Sequence, residues 1–327
     1  MPPLIVDVVN AHRAALLAQE QAAMQEMARR WLQVEQALDN AIQLAAQELI
    51  NNGTTTPSQI MRSRRWFALM EQTRDELRRY EAYMEPRIIS GQRNMITQAV
   101  QHSEAAVQAA ASEAQIVVPF NRLPVTAVEN MVGLAGDGSP LRAILQDASR
   151  AGADALGEQL VRGIALGVNP REVARRAMRL GLGTSYTRMA AISRTEMLRV
   201  YRVTTLASYE ASRVVGSYVR LSARDRRVCP ACLFADGREY PVSHGFDEHV
   251  QGRCVALPRL INGPAIRFEN GQQWFRSQPE AVQRAMLGRG RFDLWQRGEV
   301  SLDDMVTRDY DATLGGSLRV TNLRDLG

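Results

Sequence analysis

Three observations predict a mainly α-helical protein carrying one small α+β module. Apolar residues recur at steps of three and four over most of the chain, helix start and stop signals punctuate those stretches, and all three cysteines fall within residues 229–254. The expected architecture is long N-terminal helices, as a hairpin or coiled-coil-like pair, then a central helical domain, a small stapled α+β module and short C-terminal helices. The corresponding segments are 1–118, 119–216, 217–258 and 259–327.

The first helix is expected over about residues 10–50, where Leu17, Met24, Met27, Trp31, Val34, Leu38, Ala41, Ala45 and Leu49 form one seam. Asn51-Asn52-Gly53 stops it. Thr56-Pro57-Ser58-Gln59 then reads as a capping box with proline in the first turn. On the second long helix Phe67, Met70, Leu77, Tyr80 and Met84 can face the first seam, Pro86 is expected to bend or break the run, and helix resumes through Ala114.

The prolines of Val117–Pro124 mark a junction, and Gly133–Pro140 a second break. A helix follows from Leu141 to about Gly167. Another opens at Asn169-Pro170-Arg171-Glu172 and is expected to end at Gly181-Leu182-Gly183, before a long helix from about Thr187 to Val214. Ser217–Ser222 alternates like a strand, and beyond Pro258 short helices return, with Ser277-Gln278-Pro279-Glu280 as a capping box and Trp274, Phe275, Phe292 and Trp295 as aromatic anchors. Core packing is the default for these aromatics, and a docking surface the alternative.

Cys229-Pro230-Ala231-Cys232 is followed by His249 after sixteen residues and by Cys254 after four more. A short loop can bring such a set to the corners of a tetrahedron, and three thiolates with one imidazole suit zinc best. Four protein ligands leave no open position for water or substrate, so the expected Zn2+ is structural rather than catalytic. An odd cysteine count in metal-like spacing argues against a disulfide framework and for a reducing compartment.

The 327 residues include no lysine, so all 40 basic residues are arginine, and the net charge is +5. Arginine makes bidentate contacts to phosphate and carboxylate. Because these arginines are dispersed, a solvated surface shaped by codon bias is the simpler reading, although the basic balance tolerates nearby DNA. No secretory leader and no stretch near ~20 apolar residues is recognised, so a soluble, unsecreted protein without membrane association is expected.

Read together, Ser193-Arg194-Thr195-Glu196, Leu221–Asp225 with the Cys229–Cys232 pair, Asp236-Gly237 and His249–Cys254 resemble the phage Mu F-like minor head proteins. The resemblance covers about Pro119 to the end, including Gly271–Phe275 and Arg284–Gly288. That family carries a His-Pro-x-Cys-Arg-Cys box; here the proline is Val250 and the first cysteine is Gly252, which leaves Cys254 alone at that end. His244 is the competing imidazole, and alignment with the box favours His249. The ligand set is therefore Cys229, Cys232, His249 and Cys254.

The resemblance implies a non-enzymatic minor head protein of a tailed bacteriophage, in the virion head after assembly in the host cytoplasm and near the portal. It would serve head morphogenesis and DNA packaging or ejection. Implied partners are the portal, the major capsid protein, scaffold and packaged DNA, and the N-terminal seam reads either as an intramolecular hairpin or as a homo-oligomer face. Arg224, Arg226, Arg227 and Arg253 beside the ligands carry the alternative, a zinc-containing nucleic-acid-binding protein. His102-Ser103-Glu104 has the H-x-E pattern of zinc deaminases, but Pro230 stands between the cysteines rather than before them, so His102 and Glu104 are expected on a solvated helix face. Arg194 and Glu196 are expected in a buried or inter-helix salt bridge, and Asp225 as a turn cap or arginine partner.

Overall fold

The structure, a computed structural model, describes residues 4–53, 56–131, 141–225, 227–311 and 315–326. The break expected at 133–140 and Arg226 lie outside the described residues. The chain is mainly helical with a small sheet region. In order it forms α1 (Ile5–Asn51), α2 (Pro57–Arg62), α3 (Arg64–Glu113), α4 (Val125–Met131), α5 (Leu141–Ala165), α6 (Pro170–Arg176), a π-helical turn (Ala177–Leu182) and α7 (Gly183–Ser212). There follow β1 (Val215–Leu221), α8 (Pro230–Phe234), β2 (Glu239–Pro241), β3 (Val255–Leu260), α9 (Gly271–Ser277), α10 (Glu280–Leu287), α11 (Arg289–Gln296), β4 (Val306–Asp311) and β5 (Gly315–Val320). No helix among the described residues is long and apolar enough to cross a membrane.

Packing divides the chain into two compact units, one of Met1–Ala18, Arg93–Ala135 and Leu198–Gly327, the other of Gln19–Gln92 and Gly136–Met197. Each unit gathers stretches distant in sequence, because α1, α3 and α7 each give one part to either unit.

In the second unit α1 and α3 are antiparallel. Arg87 reaches Glu26, the Tyr80 hydroxyl donates to the Met27 carbonyl at 3.1 Å, Gln72 reaches Ala37 and Arg65 pairs with Glu48, so numbers rise on one helix as they fall on the other. The seam residues Met27, Trp31, Val34, Leu38, Ala45 and Leu49 are buried with Met70, Leu77, Tyr80 and Met84, and Trp31 meets Tyr80 edge-on at 4.9 Å. Two positions differ from expectation. Leu16 rather than Leu17 is fully buried, and Phe67 is 61% exposed while Leu69 faces inward. The second difference has a local cause. Thr56 and Gln59 form the expected capping box, but α2 ends at Ser63, whose hydroxyl accepts from the Trp66 amide and restarts the helix.

Pro86 does not break α3. Met84 and Ile88 are both fully buried on either side of it, and the Arg87 guanidinium donates to the Tyr83 carbonyl at 3.0 Å while lying over the Tyr83 ring. Packing therefore holds the helix through the lost amide bond. Gly181 does not end a helix either. A Cβ there would come within 2.6 Å of the Leu156 backbone, so this glycine serves close approach to α5, and the chain passes through the π turn directly into α7.

In the first unit β1 is the centre of a three-stranded antiparallel sheet of order β2-β1-β3, with Val219 opposite Glu239 on one side and Leu257 on the other. Its last four residues are all buried, so the alternation expected of a strand with one wet face is lost there. The ends of α3 and α7 cover the sheet through Val107, Ala111, Leu206 and Tyr209. A second core joins Cys232, Phe234 and Cys254 to Phe275, Leu287 and Phe292, with Trp274 and Trp295 packed against it, so the aromatic anchors are core residues. The capping box expected at Ser277–Glu280 is absent: the Ser277 hydroxyl donates back to Trp274, and the box stands instead at Asn270 and Gln273. The hairpin of β4 and β5 was not expected. Its segment reads as mostly polar and glycine-containing, and the apolar alternation that marks a strand is confined to Leu318-Arg319-Val320.

Candidate metal centre

Cys229 is the N-cap of α8 and Pro230 its first residue, so the helix starts at the first thiol and places Cys232 almost one turn later. Cys254 lies just before β3, and His249 stands in the turn that closes with the Gly252 amide donating to the His249 carbonyl at 2.9 Å. Donor atoms of Cys229, Cys232 and His249 lie within 4.8 Å of one another, as do those of Cys232, Glu248 and Cys254. The four ligands named from sequence therefore converge in two triads that share Cys232. This cluster could hold a metal ion. His244 stands apart from it, with its ring 3.3 Å from Asp247 and stacked on Tyr240.

The His249 ring is oriented for ligation. Its Nδ1 lies 2.8 Å from the Val250 carbonyl, which can only accept, so Nδ1 carries the proton and Nε2 is the nitrogen left for a cation. Without a cation, hydrogen bonding to Cys232 first, and then to His249, lowers the Cys229 pKa to about 4, while the bond to Cys229 raises His249 to about 9. Cys232 is pushed up, because its neighbours Cys229 and Cys254 and its own burial all oppose a second thiolate. Buried thiols that suppress one another's ionisation are relieved by a cation, and on that ground the donor set fits a thiophilic divalent metal.

Sequence reasoning missed the residues that frame this cluster. The Glu248 side chain is only 3% exposed; Cys232 Sγ donates to its Oε1 at 3.2 Å, and Arg220 reaches its Oε2 at 3.1 Å. Arg220, on β1, is itself fully buried, donating to the Asp247 carbonyl at 2.6 Å and lying over the Phe246 ring. Arg202, on α7, is buried beside it and donates to the Gly252 carbonyl at 3.1 Å. Burial opposes charge on Glu248, but Arg220 and Arg202 outweigh it and hold the carboxyl at about 2. An acid next to the histidine of a ligand box was the available signal.

Asp225 fills both roles expected of it. Arg253 binds it through two guanidinium nitrogens at 2.5 and 2.7 Å, and it accepts from the Arg227 amide, so the loop before Cys229 is tied to the one before Cys254. Its pKa is lowered chiefly by the bond to Arg253. Asp236 accepts from the Ser222 amide, and burial raises its pKa to about 6. Gly237 follows with φ +85°, the left-handed turn its pairing with Asp236 implied. Arg194 pairs with Glu20 at 2.6 Å, an inter-helix bridge as expected, and Glu196 is buried. His102 is not on a solvated face: it is half-buried, stacked on His12, while Glu104 pairs with Arg122.

A helical framework that presents a thiol, imidazole and carboxylate cluster from the loops of a small sheet defines the class: a helical protein with a candidate metal staple. Residues 154–257 match the model of the family described as Phage Mu protein F like protein, a stretch from within α5 to β3 that contains Cys229, Cys232, His249 and Cys254. This supports the phage Mu F-like family, and with it a phage head morphogenesis protein. The match is narrower than the resemblance read from sequence, and Gly271–Phe275 and Arg284–Gly288 lie beyond it. No curated protein and no solved structure matches the chain.

Proposed function

We propose that this chain is a non-enzymatic minor head protein of a tailed bacteriophage, acting in head morphogenesis near the portal and aiding DNA packaging or ejection. The observation that carries the reading is the family match over 154–257, which encloses the whole candidate metal centre. Cys229, Cys232, His249 and Cys254 would hold a structural Zn2+, whose chemistry here is to fix the α8 end against the β3 end. The chain's own residues do the remaining work. Arg253 and Asp225 clamp the two ligand loops, and Arg220 and Arg202 offset buried negative charge. Helical surface would meet the portal, capsid protein or scaffold.

Mass spectrometry of purified heads, with metal analysis of the isolated chain, tests this. Presence in heads with zinc at about one per chain is the expected result, and absence from heads overturns the reading. The nucleic-acid-binding alternative loses ground at its own residues, since Arg253 is committed to Asp225 and Arg224 faces Asp236 and Glu269. Co-purification with portal rings that survives physiological salt favours assembly, whereas DNA affinity that collapses between low and physiological salt favours the alternative.

A further inference from the structure

The two donor triads share Cys232, and Glu248 stands where they meet. Its Oε1 lies 3.2 Å from Cys232 Sγ and 3.6 Å from His249 Nε2. Donors bound to one zinc at about 2.0–2.3 Å stand roughly 2.8–4.0 Å apart at the roughly 90–120° angles of a five-coordinate sphere, so this oxygen already keeps the spacing of a co-ligand. The other oxygen is occupied: Oε2 meets Arg220 at 3.1 Å and accepts from the Cys254 amide at 3.3 Å. Oε1 accepts from the His249 amide at 3.1 Å and from the Cys232 thiol, so both oxygens are held in place and a cation bound at Oε1 would take the position of the Cys232 proton.

Gly252 makes the room. A Cβ at that position would fall 2.1 to 2.3 Å from Cδ, Cγ and Oε1 of Glu248, so the missing side chain is the space the carboxylate fills. Charge agrees. With a divalent ion bound, three thiolates and Glu248 would carry four negative charges, and the ion with the buried Arg202 and Arg220 four positive ones. Without the carboxylate the second arginine would be buried in excess.

We propose that Glu248 is a fifth donor of this centre, binding the metal through Oε1, in a site admitted by Gly252. The proposal rests on the metal reading above. X-ray absorption at the zinc edge on the zinc-loaded full chain tests it, since sulfur shells near about 2.3 Å separate from nitrogen and oxygen shells near about 2.0–2.2 Å. The expected sphere has two light donors, His249 and Glu248, beside the sulfurs. Glu248→Gln and Gly252→Ala should each reduce the light shell to one donor and weaken zinc binding by tenfold or more in competition with a chromophoric chelator. Circular dichroism monitors folding of both variants, and the native spectrum needs neither. A single light donor in the native chain overturns the proposal, and so does a light shell unchanged in folded Glu248→Gln, because a carboxylate that only positioned Cys232 would alter affinity alone. Failure of the native chain to take up zinc overturns both this and the structural-zinc reading, whereas zinc bound by three sulfurs and one light donor overturns this one only.

Discussion

His12 and His102 stack with ring centroids 3.9 Å apart and planes 2° from parallel. Two such rings cannot both be charged cheaply. His102 is paired through Nδ1 with the Tyr201 hydroxyl at 3.0 Å, and Nδ1 of His12 is buried without a hydrogen-bond partner among the described residues. Burial lowers both pKa values, and burial with the neighbouring His12 charge takes His102 to about 4. The unfolded chain, near about 6.5, therefore binds protons that the folded one refuses. The stack's contribution is complete above pH 6.5 and is lost as pH falls from there toward 4. Because both rings are only partly buried, solvent screening leaves about 1 kcal/mol of effect. In urea unfolding, the stability difference between the native chain and His102→Phe, which keeps a stacking ring without a charge, should shrink by about that amount from pH 7 to pH 5. A pH-independent difference would refute the assignment.

At the scale of elements, Gly181 and Gly183 flank the junction of the π turn and α7, yet they serve different ends. The Gly181 position faces the Leu156 backbone at 2.6 Å, whereas the nearest atom to a Cβ at Gly183 is the Met178 carbonyl at an ordinary 3.5 Å. Gly181→Ala must push α5 away and should cost about 1–3 kcal/mol, the usual range for overpacking. Gly183→Ala, in helical backbone, should be neutral or stabilise by up to about 1 kcal/mol. Equal urea midpoints for the two variants would sink this reading. The pair also shows what a sequence discloses. A glycine reads as a stop signal from its own backbone freedom, and nothing local records that a neighbouring helix needs the space. Pro86 misleads in the same way, since the packing of Met84 and Ile88 overrides it. Thiol spacing, the Thr56 cap and the antiparallel seam were legible because they are periodic or local. Glu248, Arg220 and Arg202 were not, because three separate parts of the chain bring them together and no spacing rule joins them.

For the molecule as a whole, the cores of the two units differ in what they depend on. The second unit packs Trp31, Leu38, Leu77, Leu156 and Val173 among other apolar side chains and contains none of the candidate ligands. The first unit builds Cys232 and Cys254 into the core with Phe234, Phe275 and Phe292. A bound metal would therefore stabilise one unit directly, by an amount whose upper scale is the roughly 10–16 kcal/mol apparent in zinc-finger peptides. Chelation should speed amide exchange and proteolysis across β1, α8 and β3, about residues 215–260, while amides of the second unit keep their protection. Acid should act in the same direction. In the metal-free centre the bond to Cys229 raises the His249 pKa to about 9, so a proton on the ring competes with an incoming cation and affinity should fall as pH falls. Hydrogen exchange followed by mass spectrometry, with and without a zinc chelator, reads both units in one experiment. Protection lost equally in both units, or in neither, would show that the centre does not staple the sheet of the first unit.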